Sequence, residues 1–229
     1  MTFSKLYDTP ATAVADIHDG ATLLIGGTTR SGEPTALLAA LLTIGVRDLT
    51  CICDFADWDG SEGILQLAQA ERIARVISPF PFVGENGGVI HKQWRDGALA
   101  VEVIPQGTLA ERLRAAGAGI GGVFTPVGLG TRLADGKETR TINGVECVLE
   151  SPLRADFALI RADRADALGN LAYRGAQRGW NAVMAPAARI TIAEVDTVGE
   201  PGAIDPELVI TPGIYVNRVV YTPPTGDRG

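Results

Sequence analysis

Apolar positions along the chain switch between helical and extended spacing, and the switching predicts one element after another. Thr9-Pro10 puts a capping residue ahead of a proline at the first helical position, and Ala13, Val14 and Ile17 share one face of a helix ending near Gly20. The short apolar run over 21–25 reads as a strand that stops on Gly26-Gly27. Pro34 then opens an Ala- and Leu-rich helix that Gly45 can terminate, and 49–53 is a second apolar run. Strand, glycine-rich turn, helix and strand together make a βαβ unit.

The same alternation continues with helical 64–70, extended 73–77, helical 89–94, extended 99–104 and helical 109–116. It predicts an α/β fold: an open, mostly parallel sheet with helices on both faces. Such sheets place their sites at the carboxyl ends of strands, which marks the loops 26–34, 54–63 and 105–108. Beyond Thr131 the pattern changes. Residues 138–142 and 145–149 flank Asn143-Gly144, a strong turn signal, and predict an antiparallel hairpin extension. An extended run at 157–160, a turn at Gly169-Asn170, a helix over 181–187 and extended runs at 190–195 and 214–220 follow. The reading is a single domain over 1–222 and a flexible, proline- and glycine-rich tail over 223–229.

Composition narrows the partners. The 229 residues are 46% hydrophobic and 21% charged, the make-up of an ordinary globular domain. Twenty basic against 27 acidic side chains leave a net charge of −7, with no basic cluster to displace counterions from nucleic acid. No apolar run approaches the roughly 20 residues of a membrane span, and no secretory pattern opens the chain, so a cytoplasmic protein is expected. Three cysteines are an odd set, which argues against a disulfide framework. Cys51 and Cys53, two apart in a strand, face one side of the sheet and read as buried packing thiols. With His18 and His91 the only histidines and no ligand spacing, no metal site is expected.

Several segments invite a chemical reading. Gly117-Ala118-Gly119-Ile120-Gly121-Gly122 fits the dinucleotide spacing G-x-G-x-x-G, but a helix precedes it and Val123-Phe124-Thr125-Pro126 follows, the reverse of the required context. The segment Gly26, Gly27, Thr28, Thr29, Arg30, Ser31, Gly32 sits at a strand's carboxyl end and leads into a helix. Helix N–H groups without partners suit an anion there, and Arg30 could add a charge-assisted contact; a plain tight turn is an equal alternative. Glu85, between small residues, has the look of a catalytic carboxylate, although a solvated loop glutamate is commoner. Neither histidine has a convincing Ser or Cys partner. From the residues alone the reading ends at an α/β domain with a glycine-rich anion loop and no complete catalytic set.

Longer phrases are more specific. Residues 105–112 (PQGTLAER), 117–120 (GAGI) and 124–131 (FTPVGLGT) closely resemble the α subunit of family I coenzyme A-transferases, as do 153–160, Gly169-Asn170-Leu171 with Tyr173, and 211–216. The resemblance spans about 7–220. It implies an open α/β fold and a β-subunit partner of similar size, as αβ or α2β2. The substrates it implies are an acyl-CoA and a small carboxylic acid, with coenzyme A entering as a thioester substrate and no permanently bound cofactor. The implied chemistry is ping-pong transfer through an acyl-glutamyl anhydride and a glutamyl-CoA thioester. The nucleophilic glutamate is implied on the β subunit, so no catalytic residue is assigned here, and Glu85 aligns with a Gly-Glu-Asn phrase of α subunits.

By the same resemblance Gly26 to Gly32 contact coenzyme A, and Gln106 lines the substrate pocket. The glycine run at 117–122 reads as close backbone packing beside the cleft. Two departures stand out: Thr28 and Thr29 replace an aromatic residue and a glycine, and Asp54-Phe55 stand where many members carry Asn-Asn. Asp54 and Phe55 therefore join the pocket, with an added negative charge beside a carboxylate substrate. The implied acceptor is a 3-oxo acid such as 3-oxoadipate or acetoacetate, and the donor succinyl-CoA or acetyl-CoA. The alternatives are a CoA-dependent hydrolase subunit of the same fold and a non-catalytic CoA binder.

Overall fold

The computed structural model describes residues 5–28, 31–56, 63–82 and 88–223. Its elements in chain order are β1 (Leu6–Tyr7), α1 (Pro10–Val14), β2 (Thr22–Ile25), α2 (Thr35–Ile44), β3 (Leu49–Ile52), α3 (Ile64–Gln69), β4 (Ile73–Ser78), α4 (Val89–Arg95), β5 (Ala100–Val103), α5 (Gln106–Ala118), β6 (Val123–Thr125), β7 (Thr139–Ile142), β8 (Val145–Glu150), β9 (Ala155–Asp166), β10 (Leu171–Ala172), α6 (Asn181–Met184), β11 (Ala188–Gly199) and β12 (Arg218–Tyr221).

Eight strands run parallel in the order β1-β12-β11-β9-β2-β3-β4-β5, and β10 adds an antiparallel pair to β9. Strand order progresses outward from β2 to β5 in one direction and from β9 to β12 in the other. The reversal lies between β2 and β9, which makes the loop after β2 the topological switch point, where open α/β sheets bind ligands.

Side-chain alternation explains the two helical layers. Leu23 and Ile25 of β2, Cys51 of β3, and Phe157 and Leu159 of β9 point to one face, packing with Leu37, Leu38 and Leu41 of α2, Ile64 and Leu67 of α3 and Ile90 of α4. The intervening Leu24, Ile52, Ala158 and Ile160 point to the other, against Leu109, Leu113 and Ala116 of α5 and Met184 of α6. Each fully buried leucine contributes roughly 1.5–3 kcal/mol. Cys51 and Cys53 share the first face, as their spacing predicts, and burial pushes the Cys51 thiol up to about 12.

Local chemistry sets the ends of elements. Thr9 and Thr12 cap α1 reciprocally, each side-chain hydroxyl accepting the other's backbone N–H. The 143–144 turn forms as read: Asn143 (φ 51°) and Gly144 (φ 79°) are both left-handed, as a two-residue hairpin between β7 and β8 requires. This hairpin joins β6 in a separate three-stranded antiparallel sheet, order β6-β8-β7.

Some boundaries differ from the sequence reading. The helix at 181–187 is α-helical only to Met184 and tightens to a 3-10 turn over Ala185–Ala187, because Pro186 supplies no N–H to continue the ladder. The run 214–220 is not one strand. Gly213–Tyr215 form a 3-10 turn, with the Gly213 N–H held by Asn170 Oδ1 at 2.8 Å, and β12 starts at Arg218. Residues 105–108 are not a loop either: Pro105 accepts from the Leu109 N–H and α5 begins at Gln106. Of the tail, 224–229 lie outside the described residues.

Candidate active site

The loop after β2 is built without room for side chains. A Cβ at Gly26 would lie 1.8 Å from Asn181 Oδ1, one at Gly27 (φ 100°) 2.7 Å from the Glu33 nitrogen, and one at Gly32 (φ 77°) 2.6 Å from the Gln177 carbonyl. Asn181 is completely buried and uses its whole amide. Oδ1 accepts from the Arg161 N–H at 3.0 Å, and Nδ2 donates to the carbonyls of Gly32 at 2.9 Å and Gln177 at 2.7 Å. The Gly26 N–H bonds the Leu159 carbonyl of β9, and Thr28 and Ser31 exchange both backbone hydrogen bonds. Thr29 and Arg30, the latter the expected positive contact, lie outside the described residues, as does Glu85.

The anion reading of the following helix needs correction. The first N–H groups of α2 are not free: Ala36 and Leu37 donate to Glu194 Oε2 at 2.9 and 3.1 Å. Glu194 Oε1 takes Arg161 Nη1 at 2.5 Å, and Arg161 Nη2 reaches Asp196 Oδ1 at 2.6 Å. All three side chains are buried, so an internal carboxylate already occupies the helix's positive end. Burial raises the Glu194 carboxyl above its usual range, opposed by the Arg161 charge and the two N–H groups. Glu33 does the same for α3, accepting the Ile64 N–H at 3.0 Å beside Gly63, where a Cβ would strike the carboxylate.

Asp54 and Gln106, read separately from sequence, meet. Gln106 Nε2, on the first turn of α5, donates to Asp54 Oδ1 at 2.8 Å. Asp54 follows β3, and Ser78 Oγ of β4 holds its backbone carbonyl at 2.7 Å. The residue is 1% exposed, and among the described residues its Oδ2 has no hydrogen-bond partner. Burial raises its carboxyl above the ordinary range, against the opposing influence of the Gln106 amide, the Trp180 indole and the Thr28 hydroxyl. Phe55 stacks on Phe80 with centroids 4.6 Å apart, an aromatic wall at the carboxyl ends of β3 and β4.

Trp180 links this point to a cleft of about 570 Å³ whose walls include Arg114, Gly117, Arg178 and Tyr215. Gly117 is needed for close packing, since a Cβ there would lie 2.8 Å from Pro186. Gly179 likewise leaves space for Thr28, whose hydroxyl would be 2.9 Å from a Cβ. His18 and His91 take no part: His18 Nδ1 lies 2.9 Å from the Asp19 carbonyl, and His91 packs with Phe82 and Trp94. No group of three or more metal-ligating side chains occurs among the described residues. Sequence reasoning missed Glu33, Arg161, Trp180, Asn181 and Glu194, which no local motif marks.

With the geometry established, similarity to known proteins becomes informative. Residues 7–222 match the family described as Coenzyme A transferase. The chain belongs to this family. Among similar proteins, a 3-oxoadipate CoA-transferase subunit of Pseudomonas putida is 48% identical over 95% of this chain and 93% of its own length. A probable succinyl-CoA:3-ketoacid coenzyme A transferase subunit of Mycobacterium bovis is 46% identical over 96% of this chain and 94% of its own. Glutaconate coenzyme A-transferase from Acidaminococcus fermentans superposes with a TM-score of 0.82 at 23% identity, over 96% of this chain and 76% of that one, a likeness of fold. This CoA-transferase chain therefore carries its family's mostly parallel sheet, and the Gly26 to Gly32 loop stands at that sheet's switch point.

Proposed function

We propose that this chain is the α subunit of a CoA-transferase that moves coenzyme A from succinyl-CoA or acetyl-CoA to a 3-oxo acid such as 3-oxoadipate or acetoacetate. The observation that carries the reading is the identity of 46–48% with two transferase subunits whose names specify such acids, over nearly the full length of each. The route is double displacement. A glutamate carboxylate attacks the thioester carbonyl and expels the CoA thiolate, leaving an acyl-glutamyl anhydride. The thiolate attacks the glutamyl carbonyl, releasing the first acid and forming glutamyl-CoA. The acceptor carboxylate then reverses these two steps and regenerates the glutamate.

That glutamate belongs to a partner β subunit. The carboxyl groups around the described site support this division: Glu33 caps α3, Glu194 caps α2 and pairs with Arg161, and Asp54 is buried against Gln106. Gly26, Gly27, Thr28, Thr29, Arg30, Ser31 and Gly32 form the CoA segment, with Gln106, Asp54 and Phe55 at the acyl end. The Arg114 and Arg178 side chains of the cleft beside Trp180 supply positive charge that an acidic chain needs near a CoA ester. Residues 1–222 act as one domain in the cytoplasm. Among the described residues no helix is long and apolar enough to cross a membrane.

Co-expression with the β subunit, purification of the complex and an assay of 3-oxoacyl-CoA formation test the reading. Transfer to a 3-oxo acid is expected. Release of free CoA without an acceptor would replace it with hydrolysis, and absence of both reactions would overturn it.

A further inference from the structure

Three of the carboxyl groups buried in the described structure differ in one respect. Glu194 has both oxygens engaged, one by Arg161 and one by two backbone N–H groups. Asp166, 1% exposed, is equally well served: Oδ1 accepts the N–H groups of Leu168 and Asn170, and Oδ2 accepts Asn170 Nδ2 and the Gly202 N–H. These are structural carboxylates. Asp54 is as deeply buried, yet it receives one hydrogen bond at Oδ1 and among the described residues none at Oδ2.

The groups around Asp54 are neutral donors that do not offset its burial. Thr28 approaches from the loop after β2, Cys53 precedes it just beyond β3, Ser78 comes from β4, Gln106 from α5 and Trp180 from the residue before α6. None of them is a cation, and no ion pair reaches Asp54 among the described residues. Glu33 is near enough for its charge to act on Cys53, the residue before Asp54. A carboxylate buried with no cation beside it and with one oxygen unpartnered is disfavoured as an anion, and its burial outweighs the neutral donors Gln106, Trp180 and Thr28. Once protonated, Oδ1 remains the acceptor for Gln106, so the proton sits on Oδ2, and the described chain offers that hydroxyl no acceptor.

Resting on the CoA-transfer reading, we infer that Asp54 is a neutral acid whose Oδ2 hydroxyl donates a hydrogen bond to the reacting carboxylate of the acceptor acid, with Gln106 as the positioning residue that fixes its orientation. The place fits: Asp54 lies two residues beyond the end of β3, the strand beside β2, and Thr28 and Trp180 connect it to the glycine loop and the cleft. A neutral hydroxyl gives an incoming carboxylate a charge-assisted hydrogen bond, whereas an ionised Asp54 would repel it. The pairing selects an oxygen acceptor and makes the acid site close as Asp54 ionises. The raised carboxyl of Asp54 moves that loss of function to higher pH.

The test uses the assembled αβ complex. kcat/KM for the acceptor acid is measured across pH for wild type, Asp54→Asn and Asp54→Val, alongside a difference infrared spectrum of wild type minus Asp54→Asn at neutral pH. The amide of Asn keeps a donor and cannot ionise, so Asp54→Asn should be impaired less than Asp54→Val and should lose the alkaline decline. Asp54→Val should lose about a hundredfold. The infrared difference should show a protonated carboxyl stretch that only wild type carries. Asn as damaging as Val, an unaffected Val variant, or an alkaline decline that persists in Asn would overturn the inference. Wild type that transfers CoA to no acid overturns the functional reading instead, and the neutral state of Asp54 then stands or falls on the infrared band.

Discussion

Asn181 and Gly26 exclude each other's alternatives: the amide oxygen that holds the Arg161 N–H at 3.0 Å fills the space a Cβ at position 26 would need, 1.8 Å away. The switch-point loop is thus fixed by one buried side chain that also holds Gly32 and Gln177. Gly26→Ala should cost about 2–3 kcal/mol by forcing the amide aside. Asn181→Ala should cost about 3–5 kcal/mol, because an N–H and two carbonyls lose their partner in the interior. Urea unfolding of both variants checks the pair, and the double variant should cost less than the sum because both changes strike one contact.

Arg161 stands between two buried carboxylates, and its replacement by methionine leaves Glu194 and Asp196 without their cation. A loss of about 3–5 kcal/mol is expected. Replacing all three with apolar residues of similar volume should recover much of it, at the expense of the α2 cap. Thermal unfolding of the single and triple variants distinguishes the cost of isolated charge from the worth of the network.

Stability should carry the signature of Asp54 as well. Its carboxyl is raised in the folded chain by burial, so the unfolded chain gives up this proton first as pH increases. Wild type then loses stability from the ordinary carboxylate range up through the raised value, with a limiting slope of about 1.4 kcal/mol per pH unit. Asp54→Asn has no such loss. Its stability relative to wild type should be constant in acid, climb through that window and level off above it, as denaturant titrations at several pH values would show.

Gly107 offers the opposite sign. It lies in the first turn of α5, and a Cβ there would meet nothing within 4 Å. Gly107→Ala should stabilise the chain by about 0.5–1 kcal/mol through helix propensity and a less flexible unfolded state. Differential scanning calorimetry of the isolated chain reads this directly.

Where an element's signal was local, the sequence was enough. The apolar runs of β2 and β3 and the Asn143-Gly144 turn carry their structure in neighbouring residues. The full length of β9 and β11 was not legible, because Arg161 and Asp196 interrupt the apolar pattern that marks a buried strand; only pairing across strands explains charges inside. The supposedly open start of α2 failed for a related reason, since its cap lies 158 residues away in Glu194. Gln106 and Asp54 could each be singled out, but a bond spanning 52 residues is invisible until the sheet brings their strands together.

The strand order also sets a timetable for synthesis. β2 stands at the centre of the sheet, yet its neighbour β9 and the amide that grips Gly32, 149 residues further on, leave the ribosome long after it. Until then β2 presents an unpaired edge and its glycine loop has no mould. The nascent chain must hold this central strand open for most of its translation, a period in which it is exposed to wrong partners. A truncated product ending before β9 would keep its first four parallel strands in sequence and still lack the loop.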